Sequence, residues 1–184
     1  MRFGGIWHFL CKKHNIRGMK EWLTGSPEKI KSALEHAKKH GDSTWILPLL
    51  EAYAARPEDA LREEMAGLLS TLKISAAEDV FLDALSRDHL KAIRADVLGF
   101  LWSCGFTCEG NLTKVAEVAC EGDFRQALEG STLMEQVETA TNERDILGAQ
   151  VTVAEALQDP NKESIQPFVE AMARHLAMLN DTLH

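Results

Sequence analysis

The chain has 184 residues, of which 45% are hydrophobic and 26% are charged, and its net charge is −8. This length suits one folded domain that buries about two thirds of its unfolded surface. The acidic balance argues against duplex nucleic acid as a ligand, because that binding depends on Lys and Arg neutralising phosphates.

The composition favours helices and a reducing compartment. The chain is rich in Ala, Leu and Glu and has only 5 Pro, 12 Gly and 1 Tyr, whereas strands draw on β-branched and aromatic residues. Its four cysteines are too few for a disulfide scaffold, and no cleavable signal precedes them. No stretch approaches the ~20 apolar residues that span a bilayer. We therefore expect a cytoplasmic, all-α protein, with membrane association disfavoured.

Residues 1–18 differ from the rest of the chain. They hold four basic residues, no acidic residue and an aromatic cluster around Trp7. Three interpretations stay open: an anchor for a membrane surface or a partner, a cap packed on the helical domain, and a leader that precedes a natural start at Met19. We therefore separate residues 1–18 from one helical domain at 19–184, and we hypothesise that the segment is dispensable.

Nine helices are predicted after Ser26. Ser26-Pro27-Glu28 has the N-cap, first-turn proline and acid that open a helix, and Gly41 closes it. Apolar residues at helical spacing and similar start signals mark the others. The predicted helices span 27–40, 44–55, 57–72, 76–86, 89–104, 110–121, 123–139, 142–158 and 162–183. Joints of two to six residues place successive helices in antiparallel hairpins.

The hairpins repeat along the chain. A shift of 32 residues carries one apolar set onto another, and a further shift of 35 carries Ile93-Arg94 to Leu128-Glu129. The first shift places Leu50, Tyr53, Leu61, Met65 and Leu69 on Leu82, Leu85, Ile93, Val97 and Leu101. Helix pairs that repeat every 32–35 residues indicate a solenoid.

Segments 56–69 and 86–101 resemble the second helix of HEAT-like repeats: an acidic turn, an apolar-Arg pair and a small or apolar stripe. Residues 45–50, with Pro48, are similar to the matching first helix. The resemblance covers residues 27–139 and implies an α-α superhelix of the HEAT/armadillo-like kind with about nine helices. The chain is also similar to small bacterial HEAT-like proteins, a likeness that implies no activity.

The resemblance also implies a role for two arginines. Arg62 and Arg94 occupy the same place in successive repeats, where the family's arginine pairs with an acid of a turn or a neighbouring helix. Here Asp59 and Asp88 are the expected acids, and the pairs would steady the stack. Contact with a ligand is the alternative.

Candidate chemistry is sparse. Cys104 and Cys108 have a loose zinc-ligand spacing, but a second pair is missing and Cys120 reads as a buried apolar residue. His36 and His40 share a helix face in a lysine-rich turn that repels a cation. No phosphate-binding, dinucleotide-binding or nucleophile motif is present. We expect no cofactor, no metal and no catalytic residue, and we interpret Phe100 and Trp102 as core residues.

The leading functional hypothesis is a non-enzymatic protein-interaction module. The second helices of the repeats, 57–72, 89–104 and 123–139, would line a groove. Outward acids at Glu64, Asp96 and Glu135 would contact a basic or extended segment of another protein.

Two alternatives stay open. One is a HEAT-like enzyme similar to DNA glycosylases or bilin lyases, which the acidic balance of residues 41–184, 25 acidic against 11 basic, disfavours for DNA. The other is docking of the basic end, residues 1–40, on anionic lipid or on an acidic partner.

Overall fold

A computed structural model of the chain describes residues 25–56, 60–139 and 141–183, and these ranges are helical without a β-strand. The prediction of an all-α fold is confirmed for this part of the chain. The segment 1–18 and Asp59 lie outside the described residues. Nine α-helices are described: α1 Pro27–His40, α2 Ile46–Ala54, α3 Ala60–Leu69, α4 Ala77–Leu85, α5 Arg94–Ser103, α6 Leu112–Glu121, α7 Phe124–Glu135, α8 Glu143–Gln158 and α9 Gln166–Asp181.

Three predicted helices begin with a 3-10 helix instead of an α-helical turn. These 3-10 helices are Ser43–Trp45, Asp88–Ile93 and Pro160–Ile165. Asp42 and Asp159 begin two of them by accepting a hydrogen bond from a backbone N–H two residues later. Leu90 and Ile93 are both buried, and a spacing of three residues fits the 3-10 helix as well as the α-helix. The apolar pattern therefore does not separate the two helix types.

Contacts along the chain divide it into two compact units, Met1–Val80 and Phe81–His184. The single helical domain expected for 19–184 stays a prediction. In the first unit, α3 packs on α1 and on α2. Its buried residues include Leu50, Tyr53, Leu61, Met65 and Leu69. These are the apolar positions of the first predicted repeat, and all five are buried.

In the second unit, helices pack on their chain neighbours and on the helix two positions along. The neighbour pairs are α6 with α7 and α8 with α9; the pairs two apart are α5 with α7, α6 with α8, and α7 with α9. We name α6 and α8 the first-helix layer, and α5, α7 and α9 the second-helix layer. The shifted apolar set is buried here as well: Leu82, Leu85, Ile93, Val97 and Leu101.

Asp145 joins the two helices of the first-helix layer. Its carboxylate accepts hydrogen bonds from the backbone N–H groups of Leu112 (2.7 Å) and Thr113 (3.0 Å) at the start of α6. A carboxylate is favourable there, because the first N–H groups of a helix have no partner inside it. Thr113 Oγ1 in turn donates to the Asp145 carbonyl oxygen at 2.9 Å. The bonded residues are 32 or 33 positions apart.

Two further hydrogen bonds have the same spacing. Lys114 Nζ donates to the carbonyl oxygen of Leu82 at 3.3 Å, and Thr141 Oγ1 donates to Glu109 Oε1 at 2.8 Å. Each joins residues 32 positions apart. The spacing found between the predicted repeats therefore recurs in the hydrogen bonds between the helix pairs.

Candidate interaction surface

The second-helix layer exposes large apolar side chains. Phe124 is 57% exposed and Leu128 is 40% exposed, and they lie one turn apart on α7. The Phe124 ring meets the ring of half-buried Phe168, on α9, edge-to-face with 4.9 Å between centroids. We call Phe124, Leu128 and Phe168 the aromatic patch. It spans two neighbouring helices of one layer.

Phe124 and Leu128 lie outside the buried face of α7. The buried stripe of α7 runs through Ala127, Gly130, Ser131 and Met134, which have the i, i+3, i+4, i+7 spacing of one helix face. A Cβ atom at Gly130 would lie 2.5 Å from Cβ of Ala119, so α7 approaches α6 closely at this glycine. Gly130 and Ser131 lie on the face of α7 that packs on its neighbours. A helix face chosen from large apolar residues alone would therefore place the wrong side of α7 in the core.

An ion pair holds α7 to α5 beside the patch. Arg125 donates from Nη2 to Oδ1 of Asp96, and the Asp96 side chain is 7% exposed. The prediction that Asp96 faces outward is wrong, because it lies in the first turn of α5 on the side that packs against α7. A carboxylate buried at this depth needs a counter-charge, and Arg125 supplies it.

A second polar contact joins the same two helices. Trp102 Nε1 on α5 donates to Glu129 Oε2 on α7 at 2.6 Å. Gly99 makes room for the carboxylate, since a Cβ atom there would lie 3.3 Å from Oε2. Phe100 is buried as expected for a core residue, whereas Trp102 is half-buried. Glu129, the residue at which the third repeat departs from arginine, therefore has a specific contact.

Arg62 contacts the end of α2. Its Nη1 donates to the carbonyl oxygens of Tyr53 (2.9 Å) and Arg56 (3.3 Å), and its guanidinium lies 3.7 Å from the centre of the Tyr53 ring. These contacts satisfy carbonyls at the end of α2 and add a cation–π interaction. The guanidinium thus ties α3 to α2 within the first unit.

Arg94 makes a different contact from Arg62. It is nearly buried at 11% exposure, and its Nη1 lies 3.7 Å from Oε2 of Glu121, the last residue of α6. Asp88, the acid expected to pair with it, is exposed at the start of a 3-10 helix. The acid that faces Arg94 thus comes from a neighbouring helix and not from the turn before Arg94. The Nε atom of Arg94 is buried without a hydrogen-bond partner.

Glu64 and Glu135, the other two residues predicted to contact a partner, are exposed but belong to different units. Glu64 on α3 belongs to the first unit and lies 3.7 Å from Nζ of Lys31 on α1. Glu135 is the last residue of α7 and is exposed, on the helix that carries Phe124 and Leu128. Of the three acids expected to contact a partner, Glu135 is exposed on the second-helix layer, Asp96 is buried in that layer, and Glu64 belongs to the first unit.

The described cysteines are buried, and the His36 ring stacks on a tryptophan. Cys104, Cys108 and Cys120 are buried, and burial raises the pKa of the Cys120 thiol to about 11, so it is not a thiolate at neutral pH. The His36 ring stacks on Trp45 with 5.6 Å between centroids. In the described part of the chain, no three His, Cys, Asp or Glu side chains are grouped to hold a metal ion.

A surface pocket of about 300 Å³ lies where α8 ends. Asp159, Lys162 and Glu163 are among the residues that line it. The amine of Lys162 donates a hydrogen bond of 2.6 Å to the carbonyl oxygen of Cys120 at the end of α6. The lysine that lines this pocket therefore caps the end of α6.

No protein-family model matches this chain, and no curated protein or solved structure matches it either. Across the residues that the structure describes, none of the helices combines the length and the apolar character needed to cross a membrane.

Proposed function

We propose that this chain is a HEAT-like α-solenoid that binds another protein, without catalysis, through its second-helix layer. Two observations support the solenoid. From α5 onward, helices pack on the helix two positions along, and the hydrogen bonds of Asp145, Lys114 and Thr141 link residues 32 or 33 apart. Stacked helix pairs produce contacts of this kind, since each pair buries its apolar face on the next.

The exposed aromatic patch is the observation that carries the binding proposal. Phe124 at 57% and Leu128 at 40% exposure lie one turn apart on α7, and Phe168 on α9 contacts the Phe124 ring. Full burial of such a side chain contributes about 1.5–3 kcal/mol, so covering the exposed parts of these two would contribute about 2 kcal/mol. Exposed aromatic clusters of this kind mark contact sites, and aromatic residues are enriched among the strongest contributors to interfaces.

The layer beneath the patch is fixed before a partner arrives. The Arg125–Asp96 ion pair and the Trp102–Glu129 hydrogen bond both tie α7 to α5. A surface whose backbone is held in place loses less conformational entropy on binding than a loop does. The polar contacts of α7 thus support its role as a preformed platform for the patch.

Affinity capture from a native lysate tests the proposal when it includes matched variants. The variant Phe124→Ser/Leu128→Ser removes the patch, and Leu157→Ser is the control because Leu157 is also exposed, at 37%, but lies in the first-helix layer. We expect a protein that the wild type and the control retain and that the patch variant loses. Identical proteins retained by all three chains at every salt concentration would contradict the proposal.

A further inference from the structure

Helix α8 carries an apolar stripe on its solvent side. Leu147 is 46% exposed, Val151 is 59% exposed, and Ala154 is exposed. Their spacing of four and then three residues places them on one face. The buried face of the same helix contains Ile146, Ala149, Val153 and Ala156. This stripe lies in the first-helix layer and is a different surface from the aromatic patch.

Opposite charges flank the stripe. Arg144 precedes Leu147, and Glu155 follows Ala154; the two charged residues are 11 positions apart, about three turns, and so lie on the same side of α8. Both are exposed. Within the described ranges, neither forms an ion pair or a side-chain hydrogen bond, so both charges are available to a partner.

The order of these charges is unfavourable for an isolated helix. Arg144 lies in the first turn of α8, at the positive end of the helix dipole, and Glu155 lies in the last turn, at the negative end. The reverse order would stabilise the helix. Glu143 and Asp145 are the acids that favour the first turn of α8, so the helix dipole accounts for neither Arg144 nor Glu155.

Two copies of α8 complement each other when they run antiparallel with Ala149 of both copies at the same level. Leu147 of each copy then lies opposite Val151 of the second copy. In this register Arg144 would lie opposite the small Ala154 of the second copy, next to Glu155. A two-fold axis repeats both contacts, as a self-complementary interface requires.

We propose that two copies of this chain associate through α8 in an antiparallel, two-fold dimer. The apolar stripe supplies the centre of the interface, and the Arg144–Glu155 pairs fix the direction and register of the two helices. The occupant is a second copy because one helix supplies both halves of the charge pairing. This dimer uses α8, whereas the aromatic patch lies on α7 and α9, so the two proposals are tested independently.

Sedimentation equilibrium of the full chain from about 5 to 500 µM, a range that covers weak protein interfaces, is the first test. We expect the wild-type mass to approach about 41 kDa, twice the 20.4 kDa of one chain. Val151→Asp should return the mass to that of one chain with an unchanged helical circular dichroism spectrum. A wild type that stays monomeric at every concentration, or a dimer that Val151→Asp leaves intact, would overturn the proposal.

Charge reversal tests the antiparallel register. Arg144→Glu and Glu155→Arg, each alone, should weaken the dimer about tenfold, because each places like charges opposite each other. The double variant restores the pairing with the signs exchanged and should dimerise like the wild type. Glu170→Arg, at an exposed position of α9, is the control and should change nothing. A double variant that is folded but no tighter than either single variant would overturn the proposed register.

Discussion

Glu129 Oε2 lies 2.6 Å from Trp102 Nε1 and accepts its hydrogen bond. The contact explains a residue that breaks the repeat pattern, since arginine stands at the two preceding equivalent positions, 62 and 94. Arg62 contacts the end of the preceding helix and Arg94 faces the last residue of the following helix, whereas Glu129 accepts a hydrogen bond from an indole of the same layer. The departure from the repeat therefore has a structural role in holding α7 to α5.

Glu129→Ala should remove the acceptor from the Trp102 indole and lower the free energy of unfolding by about 1 kcal/mol, because the half-buried N–H loses its partner. In an ¹⁵N-correlated NMR spectrum, one of the indole signals should shift strongly while the others stay in place. Glu135→Ala, at an exposed position of the same helix, should leave all indole signals unchanged. Equal spectra for the two variants would contradict the contact.

Gly130→Ala should destabilise the protein by about 1–3 kcal/mol, although alanine is the better helix former, because the added Cβ meets Ala119 at 2.5 Å. Gly67 on α3 is the matched control, since a Cβ atom there has no neighbour within 4 Å. Gly67→Ala should stabilise the protein by about 0.5–1 kcal/mol. Urea unfolding of both variants measures the difference, and effects of the same sign would contradict the packing of α7 on α6.

Removing either member of the Arg125–Asp96 pair should destabilise the second unit. We expect Arg125→Ala to cost about 1–2 kcal/mol, which is less than for a fully buried pair because Arg125 is 59% exposed. A double-mutant cycle with Asp96→Asn should give a coupling energy of about 1 kcal/mol. Arg174→Ala, at an exposed position of α9, is the control. Strictly additive effects of the two substitutions would show that the charges do not interact.

Ionisation of the Cys120 thiol should lower the free energy of unfolding in alkaline solution. Burial raises the pKa of its thiol from 9.0 to about 11, so the unfolded chain releases this proton at lower pH than the folded chain. The contribution is therefore complete below pH 9 and is lost as the pH rises from 9 to about 11. Cys120→Ala should show a shallower loss of unfolding free energy over this interval. Parallel pH profiles for the two chains would contradict the burial of the thiol.

Much of the fold follows from the sequence. Features set by residues close in the chain are predicted correctly. Pro27 begins α1, which ends at His40 before Gly41. The apolar positions from Leu50 to Leu101 that define the repeat are buried. The segment between Arg87 and Arg94 forms a 3-10 helix that periodicity does not separate from an α-helix.

The surface residues are harder to predict because their environment comes from other helices. Asp96 is buried since α7 supplies Arg125, which a single helix pattern does not contain. Phe124 and Leu128 are exposed because Gly130 and Ser131 occupy the buried face. Close packing through a glycine leaves no apolar signal in the sequence, although the spacing of Ala127, Gly130, Ser131 and Met134 matches one helix face.

Site-specific photo-crosslinking tests most directly whether the second-helix layer is a protein-binding surface. A photoreactive phenylalanine analogue replaces Leu128 in the patch in one chain and Leu157 in the first-helix layer in another, and both chains are irradiated in a native lysate. We expect a discrete cross-linked protein at position 128 that position 157 does not give and that Phe124→Ser abolishes. The same cross-links at both positions, or none at position 128, would contradict a partner bound at the aromatic patch.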